Sequence, residues 1–222
     1  MKAPVIAVEL RAHAPFTAFG TLTGIIIMAS FLQFQVPKEI TSFLFWSLHP
    51  LHVLVSALVT TAMFRLHGKG GLLRTFIIGY VGSVGIATLS DSLIPFAGEW
   101  LLNMPHRAVH IGFIEKWWLV NPLAIAGIIL GYMRPNTKFP HAMHVFLSTW
   151  ASLFHVLMAI GTPVDVVTTI LVATFLFLAV WVPCCTSDIV FPLLWIKIKT
   201  EMPNDPVVCL REDFHENSYR FR

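Results

Sequence analysis

Charged residues are scarce in this 222-residue sequence, where Asp, Glu, Lys and Arg make up 12% and hydrophobic residues 56%. An average soluble domain is about a quarter charged. The basic residues lie at the ends of apolar segments and form no continuous patch, so the net charge of +3 does not predict nucleic-acid binding. This composition excludes an ordinary water-soluble domain.

Cysteine is also scarce, because the chain has only three. Three cysteines cannot form a disulfide framework, and the absence of a Cys-x-x-Cys-His motif excludes covalently attached haem of the c type. Cys184 and Cys185 are adjacent in an apolar segment, whereas Cys209 lies in the polar C-terminal segment. The adjacent pair is typical of small apolar fillers, and one thiol is also a candidate soft metal ligand.

Long apolar runs are abundant, and most are close to the roughly 20 residues that a membrane-crossing helix needs. They cover residues 15–34, 41–64, 73–96, 117–133, 139–160 and 164–194. We therefore predict an all-α, polytopic membrane protein with six transmembrane helices. The sixth run is longer than one crossing requires, and we expect Pro183 and Pro192 to break or kink it.

The basic residues predict the orientation of these helices. With a cytoplasmic N-terminus, the inner segments carry Lys2, Arg11, Arg65, Lys69, Arg74, Arg134, Lys138, Lys197, Lys199, Arg211, Arg220 and Arg222. The outer segments carry only Lys38, Arg107 and Lys116. Cytoplasmic loops are enriched in Lys and Arg, so this asymmetry predicts a cell (inner) membrane protein with both termini in the cytoplasm.

Three motifs occur twice in the same order, one per helix. They are Pro15, Gly20 and Gly24 with Pro122, Gly127 and Gly131; His-x2-His-Val-x2-Ser from His49 and from His141; and Ser90, Asp91 and Pro95 with Ser187, Asp188 and Pro192. An odd number of helices per copy inverts the second copy relative to the first, a plan that recurs in secondary transporters. We predict five regions: an N-terminal segment (1–14), a first repeat (15–96), an outer connection (97–116), an inverted repeat (117–194) and a cytoplasmic tail (195–222).

The histidine motif places a polar stripe on one face of the second helix and of the fifth. The stripes are His49, His52, Ser56 and Thr60, and His141, His144, Ser148, Ser152 and His155. Residues three and four apart share a helix face. Polar side chains inside membrane helices are costly and are usually functional, so we expect the hydroxyls and His155 to line a path. A buried histidine bonded within a helix interface is the alternative.

Each copy can bring two histidines and one aspartate together, a ligand set that suits zinc best and also iron, manganese, cobalt or nickel. Counted along straight helices from Arg65 and Lys138, His52 and His144 are roughly 10 Å apart in depth. We therefore expect two metal sites near opposite faces. The outer site would contain His49, His52 and Asp91, and the inner one His141, His144 and Asp188.

The outer connection carries two further histidines, His106 and His110. They either complete the outer metal site or belong to an amphipathic helix anchored at the interface by tryptophans. The run His106-Arg-Ala-Val-His110 after Asp91 resembles the aspartate and His-Arg-x-x-His signature of small inner-membrane metal-dependent hydrolases. That resemblance implies a zinc-activated water acting on a lipid or prenyl substrate.

The leading hypothesis is a transporter in the lipid bilayer for a divalent transition-metal ion, or a proton-coupled carrier of another small solute. Histidine suits such a path because protonation near neutral pH competes with metal binding. Six helices are few for a carrier, so we also expect a homodimer. The alternatives are the membrane-embedded zinc hydrolase and a structural subunit whose histidines join helices or bind haem, which the depth difference disfavours.

Overall fold

The computed structural model describes residues 3–67, 70–135, 138–160, 164–185 and 191–195. Within these ranges the chain forms helices and no strand, which confirms the all-α prediction. The six long helices are α1 (Ala3–Gln33), α2 (Lys38–His67), α3 (Leu72–Leu101), α4 (Trp117–Met133), α5 (Lys138–Ala159) and α6 (Val166–Cys185). Single helical turns follow at Gly112–Glu115, before α4, and at Phe191–Leu194, after α6.

In the described part of the chain, four helices are long and apolar enough to cross a membrane: Ala14–Gln33, Lys38–Leu66, Leu72–Leu101 and Val166–Cys184. The apolar parts of α4 and α5, Trp117–Met133 and Met143–Ala159, are shorter. Large hydrophobic side chains are exposed on the outer helices, including Phe19 and Ile26 on α1 and Val167 and Ile170 on α6. Such a surface is compatible with a membrane protein, because lipid tails can cover it.

Some helix boundaries differ from the sequence prediction. The first helix begins at Ala3, although its membrane-compatible part, Ala14–Gln33, agrees with the predicted run 15–34. The third helix continues to Leu101, beyond the predicted run 73–96. The run 164–194 is not described as one helix, since α6 ends at Cys185 and residues 186–190 lie outside the described part of the chain. Apolar runs mark the hydrophobic part of a helix and not the turns that extend beyond it.

Arg65 marks one end of the helix bundle and Glu115 marks the other. At the Arg65 end, the guanidinium of Arg65 on α2 lies 4.1 Å from the ring centre of Tyr132 on α4. At the Glu115 end, the His106 N–H donates to the carbonyl of Ala159, which ties the α3–α4 connection to the last residue of α5. Therefore α2 and α4 run from the Glu115 end to the Arg65 end, and α5 runs in the opposite direction.

The α2 helix lies in the centre, between α4 and α5. Of its most apolar stretch 56% is buried, against 28% for α1 and α6. Glycines allow this packing: a methyl group at Gly127 on α4 would overlap the Leu54 carbonyl oxygen and approach the Ala57 side chain. At Gly20 on α1, a methyl group would meet Thr149 on α5 at 3.0 Å. Small residues permit close backbone approach between membrane helices.

The α3 helix contains two π-helical turns, Val81–Gly85 and Leu89–Leu93. The second has Asp91 at its middle, and Ser90, Asp91 and Ser92 are all fully buried. Three successive residues of a regular α-helix point about 100° apart and would not all reach neighbouring helices equally well. Widened turns of this kind are frequent at functional sites. Here the turn directs three polar side chains at α2, α5 and the α3–α4 connection.

Candidate metal centre

The carboxylate of Asp91 is buried in the core and accepts four hydrogen bonds. His49 and His52 of α2 donate from Nδ1 to Oδ2, at 3.0 and 2.6 Å. Ser90 and Ser148 donate their hydroxyls to Oδ1, at 2.7 and 2.9 Å. Burying an ionised carboxylate is very costly unless donors surround it. The four bonds meet that requirement and join α2, α3 and α5 at one point.

His52, His144 and Cys184 form the one described group of three whose ligand atoms are close enough to hold a metal ion. One ligand atom from each lies within 4.8 Å of the others, and all three side chains are buried. The rings of His52 and His144 are stacked with their centres 4.7 Å apart. The Cys184 thiol also lies 3.5 Å from the Ser148 hydroxyl, to which it can donate. Helices α2, α5 and α6 therefore each contribute one side chain.

The bond to Asp91 decides which nitrogen of His52 is available. Because Nδ1 donates to the carboxylate, the lone pair lies on Nε2, the atom that remains for a metal ion. A carboxylate that fixes the tautomer of a metal-binding histidine is the usual second partner in such sites. Asp91 was expected to be a metal ligand itself. Instead, it orients the histidines, since both of its oxygens already accept two hydrogen bonds.

His49 shares the carboxylate with His52 but faces another direction. Its ring is stacked on Phe45 with the centres 5.5 Å apart, and a methyl group on Gly112 would overlap its Nε2 atom. It does not belong to the group formed with Cys184. The spacing of three residues places His49 one helical turn nearer the Glu115 end. Within the described residues, the candidate group therefore does not contain the predicted pair of His49 and His52.

His144 lies beside His52 and not at the expected depth difference of roughly 10 Å. That expectation holds only if Arg65 and Lys138 are level and both helices are perpendicular to the membrane. Close packing of antiparallel α2 and α5 brings the histidines to one level instead. The two predicted sites are therefore not at different depths as far as His52 and His144 are concerned; these two belong to one candidate group among the described residues. The stacked rings also leave no space for a haem between them.

His106 and His110 do not complete a ligand set with Asp91. The His106 side chain is exposed, and His110 Nδ1 lies 3.2 Å from the Glu115 carboxylate. The Glu115 carboxylate also accepts the Ile111 N–H at 2.7 Å. The single turn Gly112–Glu115 is too short for the interfacial helix that was the alternative.

A second polar cluster lies between the first and the Glu115 end. His155 of α5 donates from Nδ1 to Glu99 Oε1 of α3 at 2.6 Å, and both side chains are buried. The Ser92 hydroxyl is 3.5 Å from His155 Nε2 and accepts the backbone N–H of His110 at 3.1 Å. The rings of His110 and His155 lie 5.4 Å apart. His155 was predicted to line a path, whereas its partner Glu99 was not predicted as a site residue.

The four hydroxyls expected to line the path are all buried but differ in their partners. Ser148 donates to Asp91, and Ser152 donates to the Ser90 carbonyl at 2.9 Å and to the Ser148 carbonyl at 2.8 Å. Ser56 and Thr60 on α2 have no hydrogen-bond partner within the described ranges. His141 belongs to α5, but its side chain and the whole of Asp188 lie outside the described residues.

Sequence reasoning found the histidines but did not assign Cys184 and Glu99. One thiol of the Cys184–Cys185 pair was only a candidate soft ligand, and Glu99 was given no role. The available signal was the same for both: a polar or ionisable side chain near the end of an apolar helix. No protein-family model matches this chain, and neither a curated protein nor a solved structure is similar enough to count as a match.

Proposed function

We propose that this chain is a membrane carrier for a divalent transition-metal ion, bound in the middle of the bundle by His52, His144 and Cys184. The observation that supports the proposal is the convergence of two imidazoles and one thiol, all buried, from three different helices. Such side chains are costly in an apolar interior and are usually kept for function. A site formed by three helices is also sensitive to their relative movement, which a carrier needs.

The donor set indicates zinc as the first choice of substrate. Thiolate and imidazole ligands suit zinc best and suit cobalt, nickel or iron less well, whereas manganese prefers oxygen ligands. Ligand atoms around tetrahedral zinc are about 3.3–3.8 Å apart, given bond lengths of about 2.0–2.3 Å. The separation of up to 4.8 Å therefore needs a closure of about 1 Å on binding. Binding would release the thiol proton, so affinity is expected to fall in acid.

The inverted repeat is part of the proposal, and the packing of equivalent residues supports it. Gly20 packs against Thr149, and Gly127 packs against Ala57, which occupies the position in α2 that Thr149 occupies in α5. The equivalent histidines His52 and His144 face each other. An in-plane two-fold axis between the repeats produces both relations. With the basic residues inside, the Arg65 end is cytoplasmic, and the chain lies in the cell (inner) membrane with both termini inside.

Metal binding and flux test this function together. Purified protein should bind zinc, and reconstituted vesicles should take it up. His52→Ala, His144→Ala and Cys184→Ser should each weaken binding by about tenfold or more, since each removes one of three ligands. His106→Ala is the matched control, because its exposed side chain lies outside the site. Unchanged zinc binding in all three ligand variants would refute the site.

A membrane-embedded zinc hydrolase is the second candidate, supported by one feature. Three protein ligands with a fourth position open is the arrangement of catalytic zinc, where a bound water acts as nucleophile. Since His144 and His52 share one site, both functions should fail in the same variants. The readouts separate them: a carrier moves metal across sealed vesicles, whereas a hydrolase releases product from lipid or prenyl substrates without moving metal.

A further inference from the structure

The paired side chains of Glu99 and His155 form a buried acid–base pair that the metal site does not use. They share a hydrogen bond of 2.6 Å, and their side chains are 0% and 1% exposed. The second carboxylate oxygen of Glu99, Oε2, is buried and has no partner among the described atoms. A carboxylate in such surroundings needs compensation.

A bound proton would balance that charge. With Glu99 ionised and His155 neutral, the pair carries one buried negative charge, and one bound proton makes the pair neutral overall. The geometry does not favour a metal ion, because Glu99 and Ser92 lie within hydrogen-bonding reach of the two ring nitrogens. The described residues also give no group of three ligands at this position.

A chain of polar contacts connects this pair to the Glu115 end. The Glu115 and His110 side chains are 39% and 24% exposed, so both reach the surface. His110 Nδ1 contacts Glu115 at 3.2 Å, and the His110 ring lies 5.4 Å from that of His155. The Ser92 hydroxyl accepts the His110 N–H and lies 3.5 Å from His155. Protons from water at this end therefore have a short route to Glu99.

An aromatic side chain separates the pair from the metal centre. The buried ring of Phe45 is stacked on His49 and meets His155 edge-on, with the centres 5.5 and 5.3 Å away. Along α5, His155 is eleven residues from His144, or about 16 Å. The other ionisable groups nearby are Asp91 on α3 and His49 on α2; α6 contains no charged residue or histidine, nor does α1 from Ala14 to Gln33.

We propose that Glu99 and His155 form a proton-binding site that is loaded from the Glu115 end through His110 and Ser92. The proton bound there is the ion that the carrier exchanges for the metal ion. Proton binding follows from this cluster alone, whereas the coupling rests on the carrier function proposed above. One proton is taken up per pair at the Glu115 end and leaves the pair when the metal ion passes in the opposite direction.

Infrared difference spectra of the full-length protein test proton binding without any metal. Acidification should produce the carbonyl band of a buried carboxylic acid or the bands of a new imidazolium. These bands should be lost in Glu99→Gln and His155→Gln, which keep the side-chain sizes similar. Glu39→Gln is the matched control, since Glu39 is exposed in the first turn of α2 at the same end. Bands that persist in both site variants would overturn the proposal.

Vesicles loaded with a pH dye and supplied with zinc test the coupling. Wild-type protein should move protons against zinc, and Glu99→Gln should reduce this proton flux by about tenfold or more. Zinc affinity in detergent should stay within about twofold, because the sites are distant. Unchanged proton flux and an unchanged pH profile in Glu99→Gln would refute the coupling. If the wild type moves no zinc, the carrier function fails while the infrared result still decides proton binding.

Discussion

The polar stripes of α2 and α5 have the same spacing but different surroundings. Ser148 and Ser152 of α5 are hydrogen-bonded to α3, whereas Ser56 and Thr60 of α2 have no partner among the described residues. The α3 turn around Asp91 accounts for the difference, because it brings Ser90 and Asp91 within hydrogen-bonding distance of the two α5 serines. The α5 serines are thus part of the hydrogen-bonded network around Asp91. Ser56 and Thr60 of α2 are buried hydroxyls outside that network.

Removing the charge of Asp91 should have the largest effect on stability, because side chains from both stripes bond this carboxylate. Asp91→Asn replaces one acceptor oxygen by a donor, so two of the four donors lose their partner. We expect the unfolding free energy to fall by about 3–5 kcal/mol. Zinc affinity should fall by about 10- to 100-fold, because His52 loses its orientation. Denaturant titration in micelles and zinc titration measure the two effects. Asp165→Asn is the control: Asp165 is exposed before α6, and asparagine keeps the oxygen that accepts the Thr168 N–H, so the substitution should change both quantities little.

Substituting the equivalent glycines tests how tightly the helices pack in each repeat. Gly127→Ala should cost about 1–3 kcal/mol in unfolding free energy, since the added methyl group would overlap the rigid backbone at Leu54. Gly20→Ala should cost less than about 1 kcal/mol, because the Thr149 side chain can shift by a few tenths of an ångström. Thermal unfolding of both variants under identical conditions measures the difference. A larger cost at Gly20 would contradict this account of the packing.

The two equivalent serines form a direct test of the difference between the stripes. Ser148→Ala removes a donor to Asp91 and should lower the unfolding free energy by about 1–3 kcal/mol. Ser56→Ala removes a hydroxyl without a described partner and should change it by less than about 0.5 kcal/mol. Chemical unfolding of both variants measures the two values. Equal costs would mean that the stripes do not differ.

The smallest effect on stability is expected at Thr60. A substitution there can lower zinc flux without lowering stability. Valine has nearly the shape of threonine, so Thr60→Val should leave stability unchanged or raise it by up to about 1 kcal/mol. If the α2 stripe contacts the passing ion, zinc flux into vesicles should nevertheless decrease. Thr174→Val on α6 is the control, since its exposed hydroxyl bonds the Ile170 carbonyl of its own helix. Full flux in Thr60→Val would remove the α2 stripe from the path.

Part of the candidate site follows from local sequence. The spacing of His49 and His52 predicts a shared face, and both histidines reach one carboxylate, Asp91, as an aspartate in the neighbouring helix suggested. The role of Asp91 could not be predicted, because a carboxylate near histidines is equally suited to binding the metal and to orienting the imidazoles. The Glu99–His155 pair joins residues 56 positions apart and depends on how α3 packs on α5.

The sequence by itself determined the helical character, the apolar surface compatible with a membrane, and the polar faces of α2 and α5. These properties depend on composition and on the 3.6-residue period, which act within one helix. Only the tertiary structure decided that His52 meets His144 and Cys184, and that α3 widens at Asp91. The physical reason is that the level of one helix against another is set by side chains distant in sequence, such as Gly127 against Leu54. No count along a single helix contains that information.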